Sequence, residues 1–334
     1  MLFNNKTLRV MGWAVMVATL VACEDDGPEP YDLDFNIPRT EAFAENLSTY
    51  GLFESPLAAL KPAAGSELYE LSSELFTDYA YKQRLVKVPA GGVVTRAADG
   101  KLVYPEGTIL VKTFYYPEDM RVADGPRHII ETRLLVLREG TWNVATYLWN
   151  EAQTEATLSL KGSTTEVSWI DETGQARSTT YAVPHEGECV TCHQSNGVTT
   201  YIGPSERNLN RAVTRGGEEL NQLAYFASVG IFPAEDWASS PKVPNYKDTS
   251  VALEERGRAY LHANCAHCHR PGAWDESADE GLDLRYGTAL SATGLAEEAN
   301  AARRLLQSGE MPYLGTTMLH AEGVELLLSF LQTL

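Results

Sequence analysis

Two five-residue stretches carry residue types and a spacing that can do chemistry: Cys189-Val190-Thr191-Cys192-His193 and Cys265-Ala266-His267-Cys268-His269. C-x-x-C-H is the attachment pattern of c-type haem. Two thiolates at that spacing reach two vinyl groups on one edge of a porphyrin. The histidine that follows supplies an imidazole nitrogen to the iron. Two copies predict two covalently bound haem c groups, attached through Cys189, Cys192, Cys265 and Cys268, with His193 and His269 as proximal ligands.

Zinc is the rival metal, because paired C-x-x-C units also hold that ion. Zinc ribbons separate their pairs by roughly 15–20 residues, whereas 72 residues lie between Cys192 and Cys265. Zinc also gives no reason for a histidine after each pair. A redox dithiol needs one pair and no histidine.

The second haem has a clear candidate for its other axial ligand. Met311 follows His269 by 42 residues in Gly309-Glu310-Met311-Pro312, and a thioether there would raise the reduction potential. Met318 and His320 are the spare candidates. For the first haem, no methionine or histidine lies between His193 and Val251. His128, His185, His262 and His267 are the remaining histidines, so the expectation is a five-coordinate haem 1 or a ligand from the preceding β-rich segment.

The fifth cysteine, Cys23, ends a different pattern. Lys6 and Arg9 precede the short apolar run 10–21, and Leu20-Val21-Ala22-Cys23 follows. The run is too short to span a bilayer, and the tetrapeptide resembles the cleavage site of bacterial lipoproteins. That resemblance implies loss of residues 1–22 and acylation of Cys23, hence a periplasm-facing protein in the cell envelope, held to a membrane by lipid alone. Glu24 after the cysteine leans toward the outer membrane. Without residues 1–22 the chain has 25 basic against 45 acidic residues. That balance disfavours nucleic acid and suits redox partner proteins with a basic docking face.

The elements that must position the cysteines divide the chain into segments. Residues 23–48 are acidic and proline-punctuated, a tether. Within 49–183, helical spacing of Leu68, Leu71, Leu75 and Phe76 predicts a short helix over 67–80, with another at 55–60. The period then becomes two. Strands are predicted at 84–88, 108–115, 128–138, 141–149, 154–160, 165–170 and 177–183, with Glu139-Gly140 a two-residue hairpin. Residues 184–250 form the first haem segment, with an amphipathic helix expected at 218–230. Residues 251–334 should fold as a helical haem domain, with helices 252–265 and 321–333 crossing where Gly257 allows close approach. The fold class is multidomain α+β: an antiparallel β sandwich or sheet followed by mainly α-helical c-type haem domains.

Three resemblances add to this reading. Residues 252–334 resemble class I cytochrome c through Gly257-Arg258-Ala259-Tyr260-Leu261 leading into Cys265-Ala266-His267-Cys268-His269, and through Met311-Pro312. Tyr50-Gly51-Leu52-Phe53, residues 75–80, 111–114 and 130–136, Trp149-Asn150-Glu151 and Ile202-Gly203-Pro204 are similar to a family of bacterial di-haem c-type cytochrome lipoproteins. That family implies electron transfer in the envelope. Residues 84–200, through Tyr104-Pro105-Glu106-Gly107-Thr108 and Lys112, resemble cytochrome P460, whose haem site is open and cross-linked to a lysine; Lys112 is the matching candidate.

Electron transfer is therefore the first expectation. A redox enzyme or gas-binding protein with an open haem 1 is the alternative, with Glu131, Arg133 and Tyr147 as candidate polar groups. A third reading makes Trp142, Trp149 and Trp169 a binding platform on the β segment.

Overall fold

The computed structural model describes residues 43–97, 100–237, 239–273, 281–312 and 314–334. Cys23, the signal stretch and most of the acidic tether lie outside them. The alternating Val, Ile, Thr and Tyr positions build a six-stranded antiparallel sheet in the order β1-β2-β5-β6-β7-β8. Its strands are β1 (Ser66–Leu68), β2 (Tyr81–Lys87), β5 (Ile109–Pro117), β6 (Arg127–Arg138), β7 (Thr141–Trp149) and β8 (Ala156–Ser159). Two short strands, β3 (Thr95–Arg96) and β4 (Leu102–Val103), pair separately, and β9 (Ser163–Ile170) with β10 (Ala176–Val183) makes a further hairpin. The β6–β7 turn is the two-residue type expected. Arg138 pairs Thr141, and Glu139 and Gly140 both have positive φ, 52° and 72°, the twist that two-residue hairpins require.

Alternation assigns each sheet face a different task. The back face carries Leu85, Val111, Leu134, Val136, Ala145 and Tyr147, packed against Leu47, Leu52, Phe53 and Leu60. Burying such side chains contributes about 1.5–3 kcal/mol each. The front face is apolar at its two ends. At one end Val86, Leu110, Leu135 and Trp142 meet Leu209, Leu223, Phe226 and Trp237. At the other, Phe114, Tyr116 and Ile130 meet Val167, Trp169, Tyr181 and Val183 of the β9–β10 hairpin. Between these ends the face is polar and charged.

The expected helix at 67–80 is absent. Ser66–Leu68 is a strand, and the chain beyond it runs as loop. Tertiary bonds override the helical spacing: the Ser72 and Ser73 N–H groups donate to Asn208, and the Phe76 N–H donates to Asn264. Residues 57–59 form one 3-10 turn rather than a helix over 55–60. Trp142, Trp149 and Trp169 are all buried, so they are core and not a binding platform.

The rest of the chain packs onto this sheet. Helix α1 (Glu186–Cys192) follows β10 after two residues, and residues 194–199 make a two-stranded turn, β11 (Gln194–Ser195) with β12 (Val198–Thr199). Helix α2 (Glu206–Leu209) precedes a second hairpin, β13 (Ala212–Arg215) with β14 (Glu218–Asn221), and helix α3 is Gln222–Ser228. The helix expected at 218–230 thus begins only at Gln222, because Asn221 caps it by accepting from the Ala224 N–H and residues 218–221 pair as strand. Segment 184–250 is accordingly mixed rather than mainly helical.

Among the described residues three helices follow: α4 (Leu253–Asn264), α5 (Leu295–Ser308) and α6 (Ala321–Leu331). Helices α4 and α6 cross at two glycines. A Cβ on Gly257 would stand 2.4 Å from the Phe330 ring, and one on Gly323 would stand 2.3 Å from the Tyr260 hydroxyl. The loop before α6 is held to the β portion by Asp78, whose carboxylate accepts from the Thr317 and Met318 N–H groups at 2.8–3.1 Å. Among the described residues no helix is long and apolar enough to cross a membrane.

Two outcomes follow from this packing. Gly257→Ala forces the helices apart and lowers stability by about 1–3 kcal/mol, measured by denaturant unfolding. His320 stacks on Phe76 with ring centroids 4.3 Å apart and faces the Tyr260 hydroxyl at 3.1 Å. Burial holds its pKa down to about 4 from 6.5. Its folded pKa lies below the unfolded one, so its stabilisation is complete above pH 6.5 and is lost as pH falls toward about 4. The loss is on the order of 3 kcal/mol, and His320→Gln flattens that part of the stability–pH curve.

Candidate functional site

Each C-x-x-C-H stretch folds into the same local turn. The His193 N–H donates to the Cys189 carbonyl at 2.9 Å, and the His269 N–H donates to the Cys265 carbonyl at 2.9 Å. That helical turn brings both cysteines of a motif to one side and leaves its histidine at the end. The first motif is started by His185, which caps α1: its ring accepts from the Gly187 N–H, and Glu188 accepts from the His185 N–H. Satisfying those amides defines where the helix begins. The second motif is delivered by α4, which ends at Asn264.

Although 72 residues separate them in sequence, the two motifs meet. Ligating atoms of Cys192, His267 and Cys268 lie within 4.8 Å of one another, and a hydrogen bond joins the Cys192 and Cys268 sulfurs. The loops after the motifs are stitched together. Arg270 donates to the Gln194 carbonyl at 2.8 Å and to Ser195 Oγ at 3.1 Å, and the Asn196 N–H donates to the Gly272 carbonyl at 2.7 Å. Gly272 has φ +73°, and a Cβ there would stand 2.3 Å from Asn196 Oδ1. Arg270, Asn196 and Gly272 carry no motif of their own, so sequence reasoning missed them.

His193 has the environment of a metal ligand. Its Nδ1 lies 2.9 Å from the Thr200 carbonyl, and an N–H donated there leaves Nε2 unprotonated for coordination. Burial holds its pKa down to about 3, so the ring is neutral. Burial likewise pushes the Cys189 thiol up to about 11 and the Cys265 thiol up to about 12. The Cys268 thiol is instead shifted down, by its hydrogen bond with Cys192. Two cysteines on one side of a turn, followed by a neutral imidazole, fit the vinyl edge and the iron of a haem.

The other ligand candidates separate. Met311 is partly buried after α5, with its N–H donating to the Leu305 carbonyl at 3.3 Å. Met318 packs against the Phe114–Trp169–Tyr181 cluster of the β portion. His128 is exposed, His185 caps α1, and His262 Nδ1 accepts from the Tyr286 N–H at 3.3 Å. His267 alone of these joins the cysteine cluster.

The charged middle of the sheet faces the first motif. Cross-strand pairing aligns Arg84, Lys112, Arg133 and Thr146 in one row, and Lys82, Phe114, Glu131 and Leu148 in the next. Arg133 makes a two-pronged pair with the fully buried Glu131, and the Tyr181 hydroxyl donates to Glu131 at 2.6 Å. The charges of Lys112 and Arg133 reach His193, and those of Arg133 and Glu131 reach Cys189. Tyr147 does not join them. It lies on the back face, its hydroxyl donating to the Ala44 carbonyl, and Tyr181 from the added hairpin stands in its place. The two-residue strand period puts 131 and 133 on one face and 132 on the other, and the pairing of Thr132 with Tyr147 then sets Tyr147 on the back face.

No family model, curated protein or solved structure matches this chain. The site's reading rests on its own chemistry.

Gly272→Ala combines a strained backbone with the Asn196 clash. It lowers stability by about 1–3 kcal/mol in thermal or denaturant unfolding, whereas Gly216→Ala, equally positive in φ but with open space around it, does not meet such a clash.

Proposed function

We propose that the protein is a di-haem c-type cytochrome that transfers electrons in the bacterial cell envelope. The observation that carries this reading is the meeting of the two C-x-x-C-H turns at Cys192, His267 and Cys268. Bound haem c supplies one-electron redox chemistry at each motif. Cys189 and Cys192 would hold one group together with His193, and Cys265 and Cys268 would hold the other together with His269 and Met311. Attachment sulfurs so close to each other bring the two groups into a single relay. The Thr200 carbonyl orients His193, and Arg270 keeps the two turns together.

Cys23 would carry the lipid anchor, with the protein facing the periplasm, more in keeping with the outer than the inner membrane. The excess of acidic residues in the whole chain, 45 against 27 basic, favours a redox partner with a basic docking face.

A second reading has a specific observation behind it. Glu131, Arg133, Tyr181 and Lys112 gather beside the first motif, as an open haem acting on a small molecule would need. A zinc ion held by Cys192, His267 and Cys268 is the remaining use of the junction.

One experiment separates the three. Protein matured with a haem-attachment system is analysed for covalent haem, for bound zinc, and by optical spectra of both redox states with and without carbon monoxide. Two covalent haems, neither responding to carbon monoxide, is the expected result for electron transfer. Two haems of which one responds selects the open-site reading. Zinc with no covalent haem overturns both. Cys265→Ala together with Cys268→Ala is expected to halve the haem content and leave His193 ligation intact.

A further inference from the structure

The row Arg84–Lys112–Arg133 runs directly across three neighbouring strands, β2, β5 and β6. Like charges directly opposite one another in a sheet are destabilising. Lys82 adds a fourth cation in the adjoining row, opposite Phe114. Two carboxylates answer them. Glu74 pairs Arg84 at 2.7 Å, and Glu131 is taken up by Arg133 and Tyr181. The Lys82 ammonium donates to the Ala80 carbonyl, and Lys112 Nζ lies 4.9 Å from the Phe114 ring. Arg84 is only 4% exposed, and its Nη2 is buried with no hydrogen-bond partner. Such a group is costly to leave unsatisfied. The protein as a whole has a net charge of −18, so this concentration of one buried and three half-buried cations runs against its composition.

We propose that the Arg84–Lys112–Arg133 row, with Lys82 beside it, is a carboxylate-binding site. Its occupant is either a propionate group of the haem carried on Cys189 and Cys192, or a small free carboxylate. The first source rests on the haem reading above; the second does not. Arg84 Nη2 and the Lys112 ammonium supply the unspent donors, and their buried and half-buried setting limits the water that would otherwise weaken the pairing. Burial and the neighbouring cations also hold the pKa values of Lys82 and Lys112 down, Lys82 to about 7. An anion seated among them restores both charges.

The test compares the mature full-length protein with its Lys112→Met variant, after covalent haem has been counted in each. Acetate is titrated while thermal unfolding is followed, and the midpoint potential of each haem is recorded against pH across the neutral range. If a propionate fills the site, acetate changes nothing. The pH at which the potential of one haem bends then rises in the variant by a unit or more, a tenfold weaker acid, because a cation that held the propionate ionised has gone. If the site takes free carboxylate, acetate raises the melting temperature saturably and binds at least tenfold more weakly to the variant. Identical acetate responses and identical pH profiles in the two proteins overturn the proposal. Should the variant fail to fold, Lys82→Met is read in the same way. A haem count of zero sinks the haem reading and leaves the acetate titration to decide the site.

Discussion

The junction of the two C-x-x-C-H turns is the constraint on which the remaining architecture depends. Cys192 and Cys268 stand in contact where Arg270 and Gly272 bind the loop at 194–196. Those bonds in turn require α1 and α4 to end side by side. Helix α1 is placed by the strand it follows, and α4 by its crossing with α6 at Gly257 and Gly323. Asp78 then holds the loop before α6 against the β portion. The sheet, the two hairpins and helices α4, α5 and α6 therefore act as one frame around seven cysteine and histidine side chains.

The sheet has a second task that its size alone does not require. A purely structural sheet would fill its front face with apolar side chains, as it does at both ends. Its middle instead holds Arg84, Lys112, Arg133, Lys82 and Glu131, and the charges of Lys112, Arg133 and Glu131 reach the first motif. Burying such groups carries a large desolvation cost unless they are paired. Glu131 is fully served by Arg133 and Tyr181, but Arg84 and Lys112 are not. The polar band and the cysteine junction are thus adjacent parts of one site, the first offering cations and the second thiols and imidazoles.

Much of this was legible in the chain. C-x-x-C-H spacing is a local property, and a single turn converts it into two sulfurs on one side with an imidazole behind. The strand period of two likewise marked β5, β6, β7, β9 and β10, and the Glu139-Gly140 turn needed no long-range partner to form. Gly257 was readable as a close-approach position, because absence of a side chain between two apolar helices has few other uses. The helix assigned to 67–80 failed for the opposite reason. Leu68, Leu71, Leu75 and Phe76 do have helical spacing, but Asn208 and Asn264 capture the backbone amides of that segment from far along the chain.

Sequence by itself determined the spacing that sets two thiols and an imidazole together in each motif, and the alternation that folds the sheet, since both follow from neighbours within a few residues. Tertiary structure alone decided that the two motifs touch, that Tyr181 rather than Tyr147 reaches Glu131, and that three cations from separate strands share one row. Those outcomes depend on strand register, hairpin placement and loop-to-loop hydrogen bonds. Such contacts join residues tens to more than a hundred positions apart, and no spacing along the chain encodes them.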